Sequence, residues 1–272
     1  MCIRDSRDLV TAPASAELKG FMERDVVHVT PDTDQEEVAK LVSKYNLLAI
    51  PVIEKDRTLL GIVTVDDVVD VIREEATEDF LQMAGIGKDR EILMKSTFDN
   101  VKLRLPWLFA SWIGGTIAAY VIGAFEPFLQ SVIALAAFIP VIIGMGGNVG
   151  TQSSTIIVRG FATGRLQLSE VGSVILKEIR VGLILGIFYG ILLGMVVMLK
   201  FIDAPPELGL VVGLAICVSM IIATSIGTLV PIVLRKLDVD PAIASGPFVT
   251  TAIDIFGILA YFLIAIYFIS SI

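Results

Sequence analysis

Asp254 stands about halfway along an apolar run, residues 242–272, that carries no other charged side chain and is long enough to span a bilayer. A carboxylate at that depth costs roughly 2.5–3.5 kcal/mol on insertion scales, so it is retained where a cation, a proton or a water-filled path meets it. The same stretch opens Asp240-Pro241-Ala242-Ile243-Ala244-Ser245-Gly246-Pro247, in which two prolines interrupt regular hydrogen bonding. Carbonyls freed there are tolerated in a membrane only where they face a water-lined path. Thr250 lies one helical turn before Asp254 and shares its face.

A second constellation is Gly144-Met145-Gly146-Gly147-Asn148-Val149-Gly150-Thr151-Gln152-Ser153-Ser154. Glycines this dense permit close helix approach or an unwound backbone, and Asn148 and Gln152 supply amide oxygens able to replace water around a hard cation. Small residues in membrane helices are ordinarily packing features, yet packing alone does not account for two amides beside them. The third is the acidic stretch from Asp66 to Asp79. On a helix Asp67, Asp70, Glu74 and Glu78 fall on one face, where each like-charged pair is destabilising by roughly 0.2–0.5 kcal/mol. Divalent cations would reverse that penalty, and Arg73 is the only basic side chain nearby.

These groups must be positioned by two kinds of structure. The chain has 272 residues, 55% of them hydrophobic, with a mean hydropathy of +0.81, too apolar for a soluble domain of this size. The apolar residues concentrate after Leu105. Residues 1–104 hold 14 Lys and Arg against 21 Asp and Glu, whereas the remainder holds 7 against 8. The acidity therefore belongs to a soluble N-terminal part, which repels nucleic acid and concentrates cations. Cys2 and Cys217 suggest neither a disulfide nor a thiolate metal site. Met1 to Ser6 lacks the apolar core of a signal peptide and reads as an artefact.

Residues 21–79 read as a small α/β unit: a strand at Val26–Val29, a helix from about Asp34 to Tyr45, strands at Ala49–Ile53 and Leu59–Val63, and a helix from about Val65. Its core is small enough to call for a partner copy. Residues 80–104 read as a connecting helix. Five spans are expected at about 105–125, 128–147, 181–199, 208–234 and 242–269, the first two joined by the turn at Glu126-Pro127. Lys102, Arg104, Arg159, Arg165, Lys177, Arg180, Arg235 and Lys236 fall on one side and Lys200 alone on the other, which places the N-terminal part in the cytoplasm and the C-terminus outside.

The soluble unit resembles a CBS domain through Ile50-Pro51-Val52-Ile53 and Leu60-Gly61-Ile62-Val63-Thr64-Val65-Asp66-Asp67, and the segments Gly146 to Gln152 and Asp240 to Asp254 resemble the membrane domain of the MgtE magnesium channels. The resemblance runs from about residue 7 to the C-terminus. It implies an α-helical membrane protein with five transmembrane helices preceded by a partial cytoplasmic CBS domain: residues 7–20 the remnant of a first CBS motif and linker, 21–79 a CBS motif, 80–104 a plug helix, and 105–272 the membrane domain. It further implies a homodimer in the inner (plasma) membrane that conducts Mg²⁺ along the dimer axis and closes when internal Mg²⁺ is high. Carried over by position, Asp254, Asn148 and the Thr250 carbonyl would hold hydrated Mg²⁺ in the pore, Asp240 an ion at the cytoplasmic mouth, and Glu36, Asp67, Asp70, Glu75, Glu78 and Asp79 regulatory Mg²⁺. ATP binding by the CBS unit is left open.

Three departures stand out. Tyr45 is followed by Asn46 where the family carries an aspartate, the family's N-terminal helical domain and most of its first CBS motif have no counterpart, and the chain starts abruptly, as a fragment of a longer protein would. Other divalent cargo, Co²⁺ or Mn²⁺, and a non-conducting Mg²⁺-sensing subunit are the competing readings. An intramembrane aspartyl protease would need a second carboxylate beside Asp254, and no other expected span carries one in its interior.

Overall fold

The computed structural model describes residues 10–13, 15, 17, 25–86, 94–200, 207–244 and 246–269. The expected artefact at 1–6, most of the remnant at 7–20 and the middle of the connecting helix lie outside them. The chain divides into two units, residues 1–78 and 79–272.

In the first unit, helix α1 spans Gln35–Tyr45, capped by Asp34, whose Oδ1 accepts from the Glu36 N–H at 2.8 Å. Asn46 ends it in the left-handed region, φ 51° and ψ 47°. That is a conformation asparagine adopts more readily than most residues, so the departure from aspartate falls on a helix cap. Strands β1 (Ala49–Ile53) and β2 (Leu59–Thr64) pair antiparallel, with Ile50 opposite Val63 and a register shift between Val52 and Ile53. The turn between them is tied by Asp56, which accepts from the Thr58 N–H and hydroxyl, each at 2.9 Å; these bonds hold its carboxyl below the usual range. Only Val29 of the first expected strand pairs, as a parallel bridge to Val52. Helix α2 follows at Val65–Met83. The core is small: Val29, Val38, Ala39, Val42, Ile50 and Val68, with Leu41, Leu47 and Val63 packed against them. Leu59, Leu60, Ile62, Val69 and Ile72 remain exposed.

The second unit is a bundle of five helices long and apolar enough to cross a membrane. Helix α3 spans Thr97–Ala124, capped by Ser96. A short helix α4 (Glu126–Ser131) and a 3₁₀ turn (Ile133–Phe138) lead into α5 (Ile139–Ala162). Helices α6 (Val171–Lys200) and α7 (Leu208–Lys236) come next, and a 3₁₀ turn at Pro241–Ala244 precedes α8 (Pro247–Ile269). The expected connecting helix is split: Phe80–Met83 complete α2, and Thr97–Arg104 form the first turns of α3.

The second span differs from expectation. Pro127 and Pro140 each sit in the first turn of a helix, where a missing N–H costs nothing. The apolar run at 128–147 is therefore cut by a new helix start, and α5 continues through the glycine-rich segment instead of ending there. The third span starts ten residues earlier than expected because Lys177, Glu178 and Arg180 are helical. Pro247 likewise opens α8, so the proline pair marks a turn and a helix start, not a break inside a span.

Helix α7 is the centre, packed against α5, α6 and α8. Lipid offers no hydrophobic drive to bring helices together, so contact depends on small residues and polar bonds. Gly190 and Gly213 face one another so closely that a Cβ on Gly190 would lie 2.6 Å from the Gly213 carbonyl oxygen. In the cluster that holds Val211 and Val212, Tyr261 donates its hydroxyl to the Leu135 carbonyl at 2.8 Å, and Phe125 stacks on Phe262 with centroids 4.6 Å apart. Gly190→Leu is expected to force α6 from α7 and to cost about 1–3 kcal/mol or more, read as a lower unfolding midpoint in detergent; an unchanged midpoint would refute the contact.

Candidate functional site

Asp254 lies in the second turn of α8, half-buried. Its neighbour Ile253 is 1% exposed and enters the notch between Gly146 and Gly150 of α5: a Cβ on Gly146 would come 3.1 Å from Ile253 Cγ2, and one on Gly150 would collide with Ile253 Cδ1. Wedged this way, Ile253 sets the rotation of α8 and hence the direction of Asp254, about 100° further round the helix. Asn148 falls between the two notch glycines in sequence and is exposed, as is Gln152 one turn on. Gly144 and Gly147 face open space. Helix α5 therefore packs through Gly146, Val149, Gly150 and Ser153 and leaves Gly144, Asn148 and Gln152 on an open face. Asp254 and Asn148 come to the level of one crossing, on adjacent helices.

Thr250 turns its hydroxyl inward along α8, donating to the Gly246 and Pro247 carbonyls at 3.3 and 3.2 Å. Asp240 caps the 3₁₀ turn: Oδ1 accepts from the Ala242 N–H at 2.9 Å, and Oδ2 accepts from the Gln82 amide at 3.0 Å.

In the first unit the acidic face of α2 forms as the spacing requires, with Asp67, Asp70 and Glu74 exposed and Glu75 and Glu78 half-buried. Asp79, half-buried, opens the second unit. Asp67 accepts from the Thr64 hydroxyl at 3.0 Å, and Glu75 from the Gln35 amide at 2.7 Å. Glu36 is paired with Lys40 at 2.7 Å, an exposed pair one turn apart. Among the described residues, no three His, Cys, Asp or Glu side chains gather closely enough to hold a metal ion within one chain.

Glu178 was missed by sequence reasoning. It is buried in α6, 7% exposed, and accepts from the Ser153 hydroxyl at 2.7 Å. The reading that no span besides the last carries an interior carboxylate is corrected accordingly. Charges at 177, 178 and 180 set the expected start of the span at residue 181, whereas the helix begins at Val171 and buries Glu178. The signal that could have found it was Gly182 four residues on, which packs against Thr224 of α7 and so carries the buried face of α6 back to Glu178. Among the described residues, the buried hydroxyls of Ser154, Ser219 and Thr228 on α5 and α7 have no hydrogen-bond partner.

Five membrane-length helices, with an α/β unit ahead of them, define a multi-pass helical membrane protein carrying a partial CBS domain. Residues 139–264 match the family model MgtE, divalent cation transporter, and residues 6–74 match the CBS domain model. The chain is 40% identical over 265 residues to the magnesium transporter MgtE of Bacillus subtilis (strain 168), covering 97% of this chain and 58% of that protein. The magnesium transporter MgtE of Thermus thermophilus is 40% identical over 262 residues, 95% of this chain and 57% of its own. That of Enterococcus faecalis is 38% identical over 259 residues, with 95% and 56% covered. The chain belongs to the MgtE family, whose members are transporters and not enzymes, and spans under two thirds of the length of these relatives.

Ser153→Ala would leave the Glu178 carboxylate buried without its donor. It is expected to lower stability by about 1–3 kcal/mol, whereas Glu178→Gln, which can still accept from Ser153, should cost less. Thermal unfolding of both variants in detergent checks the order.

Proposed function

We propose that this protein moves Mg²⁺ across the inner (plasma) membrane as a homodimeric channel gated by intracellular Mg²⁺. The observation that carries the reading is Asp254: a carboxylate in the second turn of a membrane helix, level with the open amide face of α5. Mg²⁺ sheds water reluctantly and is usually held by one or two carboxylates with several waters retained. Two copies meeting on an axis would present two Asp254 carboxylates, with Asn148 amides and Thr250 carbonyls as outer oxygens. Such a ring holds a hydrated ion without demanding its dehydration. No Cys or His belongs to the proposed ring, so softer metals gain nothing there. The printed names of the relatives, magnesium transporters, point the same way.

Dimerisation is supported by the apolar residues left uncovered on β2 and α2 and by the outer face of α3, where Leu105, Leu108, Phe109 and Trp112 are exposed. Lipid covers the part of that face a second copy does not. The basic residues on one side of the membrane orient the acidic unit toward the cytoplasm. There Glu36, Asp67, Asp70, Glu75, Glu78 and Asp79 form the sensor. With little internal Mg²⁺ these faces repel one another across the dimer, and bound ions neutralise them and favour the closed state. ATP at the CBS unit would act on the same equilibrium.

Asp254→Asn keeps the shape and removes the charge. Uptake of Mg²⁺ by transport-deficient cells is expected to fall by more than about tenfold, the equivalent of roughly 1.4 kcal/mol of lost attraction; uptake equal to the parent's would end the proposal. Equal currents for Mg²⁺, Co²⁺ and Mn²⁺ in bilayers would replace the Mg²⁺ assignment with a general divalent path. Asp67→Ala combined with Glu78→Ala is expected to leave flux undiminished at high internal Mg²⁺, and normal closure of that variant would remove the sensor assignment.

A further inference from the structure

Gln82, in the last turn of α2, is 1% exposed, one of the most completely buried large side chains in the protein. Burying an amide is unfavourable unless it finds partners, and its nitrogen donates to Asp240 Oδ2 at 3.0 Å. The turn after α2 is fitted to the same stretch of chain. Gly85, at φ +70°, lies where a Cβ would stand 3.4 Å from the Pro247 ring, and a Cβ on Gly246 would come 3.1 Å from the Met83 carbonyl oxygen. Trp107 meets Phe248 edge-on with centroids 6.1 Å apart. The end of α2 is therefore docked onto the segment that leads into α8, and the buried amide ties it to a carboxylate there.

We infer that Gln82 is a latch at the cytoplasmic mouth, a positioning residue that competes with the entering cation for Asp240. The amide N–H takes one lone pair of Asp240 Oδ2 and fixes the direction of the carboxylate, so a cation that draws the carboxylate toward itself weakens that bond and competes with the donor. A neutral donor holds the docked turn without any ion, which gives the closed arrangement a contribution independent of the acidic sensor. The inference rests on the gating reading above, because only a mouth that opens and closes gives this competition a consequence.

The test is hydrogen exchange at residues 84–86 of the full chain in lipid nanodiscs, with EDTA or Mg²⁺, beside Mg²⁺ flux into vesicles. The Ala84, Gly85 and Ile86 amides donate to Phe80, Gln82 and Leu81 carbonyls, so their protection reports the docked turn. In EDTA, Gln82→Leu is expected to exchange about tenfold faster there than the parent and to need about tenfold more internal Mg²⁺ for half-closure. Gln82→Glu sets two carboxylates against each other; it should exchange as fast in EDTA and regain protection in Mg²⁺, which can bridge them. Exchange in Gln82→Leu equal to the parent's overturns the latch. Should Gln82→Leu also exchange fast across α6 and α7, the fold has been lost, and Gln82→Glu decides: protection indifferent to Mg²⁺ overturns the latch, and protection restored by Mg²⁺ supports it. Absence of flux in the parent counts against the transport reading, and exchange still decides the latch.

Discussion

Near-contact between helix backbones is the constraint on which the candidate site depends. Inside lipid, α5, α7 and α8 gain nothing from hiding apolar surface from one another, so their mutual positions come from van der Waals contact at short range. Gly146 and Gly150 create the notch that Ile253 fills, and Gly227 brings α7 up to the Gly150 carbonyl from the other side. A methyl group at Gly150 would have to displace Ile253 Cδ1, whereas one at Gly146 would press on Ile253 Cγ2 by only a few tenths of an ångström. Asp254 is the charged residue at this crossing, but its aim is set by its uncharged neighbour Ile253 and by two glycines of α5.

The same economy governs polar groups. A carboxylate in this bundle is kept where something satisfies it: Glu178 takes the Ser153 hydroxyl, and Asp240 takes a backbone N–H and the Gln82 amide. Asp254 differs in occupying a half-buried position at the edge of the packed seam. The acids of α2 illustrate the opposite regime. They lie largely in water, where like-charge repulsion is screened and each contact is weak. A set of such acids cannot hold a rigid shape by itself, since each like-charged pair on the helix face is weakly destabilising.

Much of this was legible in the sequence because two signals are strong. Apolar runs longer than about 18 residues announce membrane helices, and the short apolar runs at Ala49–Ile53 and Leu59–Val63, between helices begun near Asp34 and Val65, announce the α/β unit. Helix ends were less legible, for particular reasons. Pro140 lies inside an unbroken apolar run, and hydropathy does not register that proline at a first turn starts a helix. The dense glycines after Gly144 read as an end by propensity, yet tertiary packing against Ile253 and Ala223 keeps them helical. Glu178 was hidden because charge is read as surface, whereas a buried partner, Ser153, lies 25 residues away on another helix. The tie between Gln82 and Asp240 spans 158 positions and has no local signature at all.

The bundle divides physically into a stiff part and a lightly held part. Helices α6 and α7 approach through the glycines at 182, 186, 190 and 194, and α7 is the most deeply enclosed of the five membrane-length helices. Helix α3 is the least enclosed; it meets α8 at Trp107 against Phe248, at Gly114 against Thr251 and at Ala118 in the cluster around Phe262. Regions with few buried contacts open at lower free energy than the cores to which they attach. Asp254 and Thr250 lie on α8, which touches both parts: Ile253 pins it to α5, while Thr251 and Phe248 face α3. Helix α3 therefore meets α8 at residues close to the carboxylate, while Val249 and Ile253 of α8 pack against Met220 and Ala223 of α7. The most and the least enclosed helices of the bundle are in this way different ones, and α8 touches both.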